Sequence, residues 1–188
     1  MNLKKIYKNI NLKILKIHDD HLIDKLLLIR NEKYVREAMF DDNVIEKNSH
    51  FDWVKSNINK NLRIFYLVFY KEDLIGSVVL SNISYSFKST DWAFYVTESS
   101  TKGVGAAIEF KFIEMIFNEK NFEILNCEVL NFNKSVIKLH YKFGFEIKEV
   151  KQKHIFRNNE YLDCTSLALT KNKWRSLTRP LLLNKFID

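Results

Sequence analysis

The spacing of hydrophobic and polar positions changes period several times along this chain, and each change marks an element. Leu12–Ile17 alternates as a strand does, whereas "HLIDKLLLIRN" (His21–Asn31) repeats its apolar residues at helical spacing. A second helical stretch covers Lys47–Ile58, with Ser49 as its expected cap. "RIFYLVFY" (Arg63–Tyr70) is aromatic and β-branched, and the "KED" after it predicts a hairpin turn into "LIGSVVLSNIS" (Leu74–Ser84). "TDWAFYV" (Thr90–Val96) is the next strand, followed by a glycine-bearing loop and a helix from Val104 to Asn118. Then come a strand at Ile124–Leu130, a helix at Ser135–Phe143, and strands at Glu146–Phe156 and Tyr161–Leu169 around the turn "RNNE". The resulting order, β-α-α-β-β-β-α-β-α-β-β, predicts an α/β fold with a mixed sheet: antiparallel hairpins, and one βαβ crossover around the glycine loop. No internal repeat or linker divides the chain, so one domain is expected over residues 1–170. A basic, then leucine-rich tail of undefined structure follows over 171–188.

Composition narrows the function classes. With 188 residues, 46% of them hydrophobic and 28% charged, the chain can bury a substantial core. One proline and four glycines do not describe a disordered chain. No apolar run reaches membrane-spanning length, and "MNLKKIYKNINLKIL" lacks the uninterrupted apolar stretch of a secretory signal. Cys127 and Cys164 sit in apolar strand-like runs without metal-ligand spacing, as small core residues would; a reduced, cytoplasmic setting and no metal are expected. The net charge of +7 suggests an anionic ligand, but the lysines are scattered and no nucleic-acid partner is expected.

Two of the four glycines stand one residue apart in "VTESSTKGVGAAIEFKFIEM" (Val96–Met115), between a strand and a helix. A helix N-terminus carries unpaired N–H groups and about half a positive charge, so glycines there admit a pyrophosphate to the main chain. A turn with a tight helix–strand contact is the alternative for a lone G-x-G. A second segment, "NFNKSVIKLHYKFGFE", follows the next strand. In this order, the two resemble the GCN5-related N-acetyltransferase superfamily across nearly the whole chain. That resemblance implies a mostly antiparallel sheet of about seven strands flanked by four helices, with acetyl-coenzyme A or another short acyl-CoA as co-substrate. It assigns Lys102, Gly103, Val104 and Gly105 to the pyrophosphate, with Ser100 where the family usually has Gln or Arg. It assigns Asn133 to the pantetheine, and Phe94, Tyr95 and Val96 to the backbone that receives the thioester. His140 takes the position of the family's usual tyrosine, the group that protonates the departing thiolate, and Tyr141 is its neighbour. His140 as a cap on a partly buried helix face is the alternative.

The N-terminal third, "IRNEKYVREAMFDDNVIEKNSHFDWVKS", is similar to the nucleotide-sugar N-acetyltransferases of the pseudaminic acid pathway. The likeness rests on Arg30, Asn31, Met39, His50 and Trp53. It implies a coenzyme A thioester and a nucleotide-linked amino-deoxy sugar as partners. Arg30 and His50 would meet the diphosphate, Met39 and Trp53 would form an apolar wall, and Glu128 would receive a proton from the sugar ammonium or hold its amine. Taken without the likeness, Met39 and Trp53 read as core, Arg30 as a favourable helix C-terminus and Glu128 as an edge-strand glutamate. The expected reaction is direct transfer without a covalent intermediate, and a homodimer is left open. A protein N-terminal acetyltransferase, with "FDD" (Phe40–Asp42) facing a basic terminus, and a non-catalytic binding module are the alternatives.

Overall fold

The computed structural model describes residues 2–187. A short helix α1 (Leu3–Asn9) leads into β1 (Ile10–Ile14), and α2 (Asp20–Arg30), α3 (Lys33–Glu37) and α4 (Lys47–Asn59) follow. Three antiparallel strands, β2 (Ile64–Tyr70), β3 (Asp73–Ser84) and β4 (Ser89–Val96), precede α5 (Val104–Glu114). After a π-helical turn over Met115–Glu119 come β5 (Ile124–Leu130), α6 (Lys134–Lys142), β6 (Glu146–Arg157) and β7 (Glu160–Thr170). The strands form one seven-stranded sheet in the order β1-β2-β3-β4-β5-β7-β6, and only β4 and β5 run parallel. The mixed α/β, mostly antiparallel architecture read from the sequence is therefore present.

At β2 both faces of the sheet are covered, which explains its continuous apolar run. Phe65 and Leu67 point to a cluster with Leu15, Ile23, Leu26 and Val54 under α2 and α4. Tyr66 and Val68 point to the larger cluster under α1, α5 and α6. Period-two alternation with apolar residues at every position is what a strand buried on both faces requires.

Four features depart from the sequence expectations. Helices α1 and α3 were not foreseen; both are short, and their apolar positions are too few to set a period. Ser49 lies inside α4, whose N-cap is Glu46, so it does not cap that helix. The expected structureless tail forms α7 (Lys171–Lys173), a π-helical turn (Trp174–Thr178) and α8 (Arg179–Phe186). Its Trp174 and Phe186 are buried in the larger cluster, and Glu114 accepts hydrogen bonds from Trp174 Nε1 at 2.7 Å and Arg179 Nε at 2.9 Å. Gly144, at φ +88°, lies against this segment: a Cβ there would fall 2.3 Å from Thr178 Oγ1.

Candidate active site

The β4–β5 ladder lasts three residues, from Ser89 opposite Ile124 to Asp91 opposite Asn126. Beyond it β4 runs on through Trp92–Val96 and β5 through Cys127–Leu130, with no further pairing between them. The β5-facing backbone groups around Phe94–Val96 are thus free of a strand partner, and such groups are strong hydrogen-bonding sites. The N-terminus of α5 stands at the same end. Gly103 caps it at φ 94°, a left-handed conformation that favours glycine. Glu32, in the turn between α2 and α3, ties down the preceding loop by accepting from Thr97 Oγ1 (2.6 Å) and the Glu98 N–H (2.9 Å).

Gly105 answers a different need. A Cβ built on it meets only Leu139 Cδ2 and the Phe94 ring, at 3.7 Å, which is ordinary contact. Packing inside the protein does not require glycine there, and the missing side chain leaves the first turn of α5 bare beside Phe94 and Leu139. That cradle fits an anion approaching the helix N-terminus. Asn133 caps α6 through its side-chain oxygen, which accepts from the Val136 N–H and Ser135 Oγ. Its amide NH₂ is the group it can offer a ligand.

His140 and Tyr141 diverge on α6. Tyr141 is exposed, whereas His140 is buried between β4 and β5 against Trp92, Phe94 and Phe145. Its Nδ1 is 2.8 Å from Glu109 Oε1 on α5, and Cys127 of β5 lies near enough to influence the same ring. Burial lowers the His140 pKa, but the Glu109 charge and hydrogen bonding to the ring outweigh it and lift the value to about 10. The pair therefore keeps its proton through the neutral range. Cys127 is pushed up mainly by burial and stays a thiol. Glu109, Trp92 and Cys127 were not singled out in the sequence as companions of His140. The one available signal was a glutamate in the otherwise apolar first turns of α5, where Glu109 is fully buried. These core contacts are also what a structural role for His140 on the helix face would show.

On the opposite sheet face, Arg30 ends α2, and Tyr95, one residue beyond Phe94, has its side chain on this side near Arg30. Burial raises the Tyr95 pKa. His50, in α4, is buried; burial first, and then the Arg30 charge, lowers its pKa and keeps the ring neutral. Arg30 Nη2 donates to the Asp41 carbonyl at 3.2 Å, while Arg30 Nη1 and His50 Nδ1 are buried without a hydrogen-bond partner. Met39 is half-buried in the α3–α4 loop. Trp53, three residues after His50 on α4, is nearly half exposed and packs edge-on to Phe65 with Arg63 over its ring.

Glu128 does not stand as a free base. Lys151 and Ser166 both donate to it, and although burial opposes them, these bonds hold its carboxyl below the usual range. It is a paired carboxylate. The acidic pair is also engaged: Asp41 accepts from the Asn43 backbone and side chain, and Asp42 from Asn158 Nδ2 at 3.0 Å. Among the described residues no three His, Cys, Asp or Glu side chains gather as a metal site would need, and no helix is long and apolar enough to cross a membrane.

The comparisons with known proteins agree with this geometry. A family model described as an acetyltransferase (GNAT) domain matches residues 12–166. The L-amino acid N-acetyltransferase AaaT of Escherichia coli (strain K12) is 34% identical over 70 residues, 37% of this chain and 43% of that relative. The match thus spans less than half of the curated relative's length. A spermidine N-acetyltransferase from Vibrio cholerae, solved in complex with CoA and spermine, superposes with a TM-score of 0.79 at 19% identity, over 90% of this chain and 99% of that one. A dodecameric structure of the Vibrio cholerae spermidine N-acetyltransferase gives 0.73 at 18% identity, with 90% and 99% covered. At such identities the structures establish a shared fold. None of these relatives is named for a nucleotide sugar.

Proposed function

This chain belongs to the GNAT family of acyl-CoA-dependent N-acetyltransferases, and we propose that it acetylates the amine of a small acceptor that also carries an anionic group. One contrast supports this reading. Asp41, Asp42 and Glu128 are hydrogen-bonded within the protein, whereas Arg30 Nη1 and His50 Nδ1 are buried and unpartnered. A buried unmatched donor is costly, and a phosphate or carboxylate would repay it through a charge-assisted bond. A polycation such as spermine, or a protein N-terminus, would instead bring its charge against the Arg30 guanidinium.

The nucleotide-linked amino-deoxy sugar implied by the N-terminal resemblance has such an anion in its diphosphate. An L-amino acid, the substrate class in the name of the Escherichia coli relative, has one in its carboxylate. Acetyl-coenzyme A, as co-substrate, supplies the acyl group. Lys102, Gly103, Val104 and Gly105 would hold its pyrophosphate, and Asn133 its pantetheine. The free N–H groups around Phe94–Val96 would polarise the acyl carbonyl. His140, protonated and set between β4 and β5, would give its proton to the leaving sulfur. Both cysteines are buried, and neither is offered as a nucleophile.

The test is incubation with acetyl-coenzyme A and a panel of amines, read by mass spectrometry. The panel holds UDP- and dTDP-linked 4-amino-6-deoxy sugars, L-amino acids, spermidine and a ribosomal-protein N-terminal peptide. Acetylation restricted to the anionic amines is expected. Preferred turnover of spermidine or the peptide would overturn the reading.

A further inference from the structure

Residues 38–46 link α3 to α4 without pairing to any strand. Three arginines from three different elements take up carbonyls of this stretch and its approach. Arg30 of α2 donates to the Asp41 carbonyl, and Arg36 of α3 to that of Asp42. The third arrives from more than a hundred residues away. Arg157, the last residue of β6, donates through Nη1 to the Met39 carbonyl at 2.6 Å, and through Nη1 and Nη2 to the Glu37 carbonyl at 3.2 Å. Its Nε lies 3.5 Å from Asp42, and its guanidinium lies over the Phe132 ring at 5.6 Å. The next residue, Asn158, also reaches Asp42, and Phe40 meets His154 of β6 edge-on at 6.4 Å.

We propose that Arg157 is a positioning residue for the acceptor, fixing the 38–46 loop, with Met39 and the backing of Arg30, against the β6–β7 hairpin. The inference rests on the reading that the acceptor occupies the Arg30–His50 side. Arg157 is mostly buried at a hairpin end whose flanking Phe156 and Tyr161 are exposed, so its burial comes from the loop contact and not from a core. Guanidinium suits the task because its planar fork presents several donors in fixed directions, enough for two carbonyls and a carboxylate at once. Lysine has one ammonium and cannot span that set. Since Arg30 donates to the Asp41 carbonyl through Nη2 and keeps Nη1 unpartnered, a shift of the loop also shifts the donor proposed for the acceptor. The loop's tie to the cofactor side runs through Asn31, which exchanges hydrogen bonds with Ile45 and stands next to the Glu32 that holds Thr97 and Glu98. Arg157 contacts none of these residues, so the effect of its loss falls on the acceptor.

Arg157→Gln, Arg157→Lys and Asn158→Ala are compared with the wild type in steady-state kinetics, using the acceptor found above, and in amide hydrogen exchange over residues 37–46. In Arg157→Gln the acceptor KM is expected to rise roughly tenfold or more, as for the loss of a charge-assisted contact. The acetyl-coenzyme A KM stays within about twofold and the loop amides exchange faster. Arg157→Lys restores only part of the acceptor KM, and Asn158→Ala has a smaller effect in the same direction. An unchanged acceptor KM, or an equal rise for both substrates, overturns the proposal, as does wild-type protection of 37–46 in Arg157→Gln. If no anionic amine is turned over, the acceptor reading fails by itself, and the exchange measurement still decides whether Arg157 fixes the loop.

Discussion

His140 Nδ1 lies 2.8 Å from Glu109 Oε1, joining the helix after β5 to the helix after the glycine loop beneath the point where β4 and β5 part. Both groups are almost wholly buried, so each depends on the other. Removing one partner of a buried pair commonly costs about 3–5 kcal/mol. The raised His140 pKa also sets a sign. Its stabilising contribution is complete below the ordinary histidine value of 6.5 and is lost as pH rises toward about 10. Glu109, also raised, with burial the leading cause, acts in the same direction. Chemical denaturation at pH 6, 7, 8 and 9 should show wild-type stability falling with pH. In Glu109→Gln, where burial acts on His140 without its counter-charge, the overall stability should be lower and this alkaline slope absent. An equal slope in the variant would show that another group produces it.

A second expectation concerns the glycine loop. Because a Cβ at Gly105 meets nothing closer than 3.7 Å, Gly105→Asp should fold with a Tm close to wild type. The added carboxylate would stand at the helix N-terminus where the pyrophosphate is proposed to lie, so coenzyme A affinity should drop by two orders of magnitude or more, about 3 kcal/mol, as for an unpaired charge at a polar contact. Calorimetric titration with coenzyme A reads the affinity, and a thermal melt reads the Tm. Unchanged affinity in a folded variant would remove the loop from the cofactor site.

The strands were legible because β2, β3 and β5 are long, apolar and bounded by turn residues, so their pattern survives without tertiary information. The loop and the 133–145 segment were legible for a different reason: glycines and an asparagine mark backbone positions that few residues can fill. What escaped the sequence was side-chain pairing across distance. Glu109 and His140 lie 31 positions apart, and neither carries a sign of the other. Glu128 looked available because its partner Lys151 belongs to a strand two places away in the sheet. The tail escaped because its buried stripe, Trp174, Thr178, Leu182 and Phe186, includes a polar residue and is blurred by exposed Leu177 and Leu181 in the same segment.

On the acceptor side, Arg30→Ala and His50→Ala should raise the acceptor KM by roughly ten- to a hundred-fold, about 1.5–3 kcal/mol for a lost charge-assisted bond. The acetyl-coenzyme A KM should change little, since both residues lie across the sheet from the α5 N-terminus. His50→Ala is the gentler variant for the fold, because Arg30 also holds the Asp41 carbonyl. Matched increases in both KM values would mark the two as supports of the fold and withdraw the anion reading.

The identity of the proton donor can be decided between two adjacent residues. His140 faces the gap between β4 and β5, whereas Tyr141 points about 100° away on the helix and is 43% exposed. Tyr141→Phe should therefore leave kcat within about twofold. His140→Gln keeps a hydrogen-bonding group beside Glu109, avoiding the bare buried carboxylate that His140→Ala would create, and is the better probe of chemistry. If His140 gives its proton to the leaving sulfur, His140→Gln should lower kcat by ~10²-fold, the lower end for general acid catalysis, with both KM values nearly unchanged. That split separates a role in the transition state from one in the fold, which would change Tm and KM together. The comparison must be made at saturating concentrations of both substrates and below the melting temperature of each variant. A sharp fall for Tyr141→Phe beside a near-normal His140→Gln enzyme would reverse the assignment. Normal rates in both would mean that proton delivery to sulfur does not limit turnover, leaving His140 and Glu109 to hold α5 and α6 together and catalysis to the free N–H groups of β4.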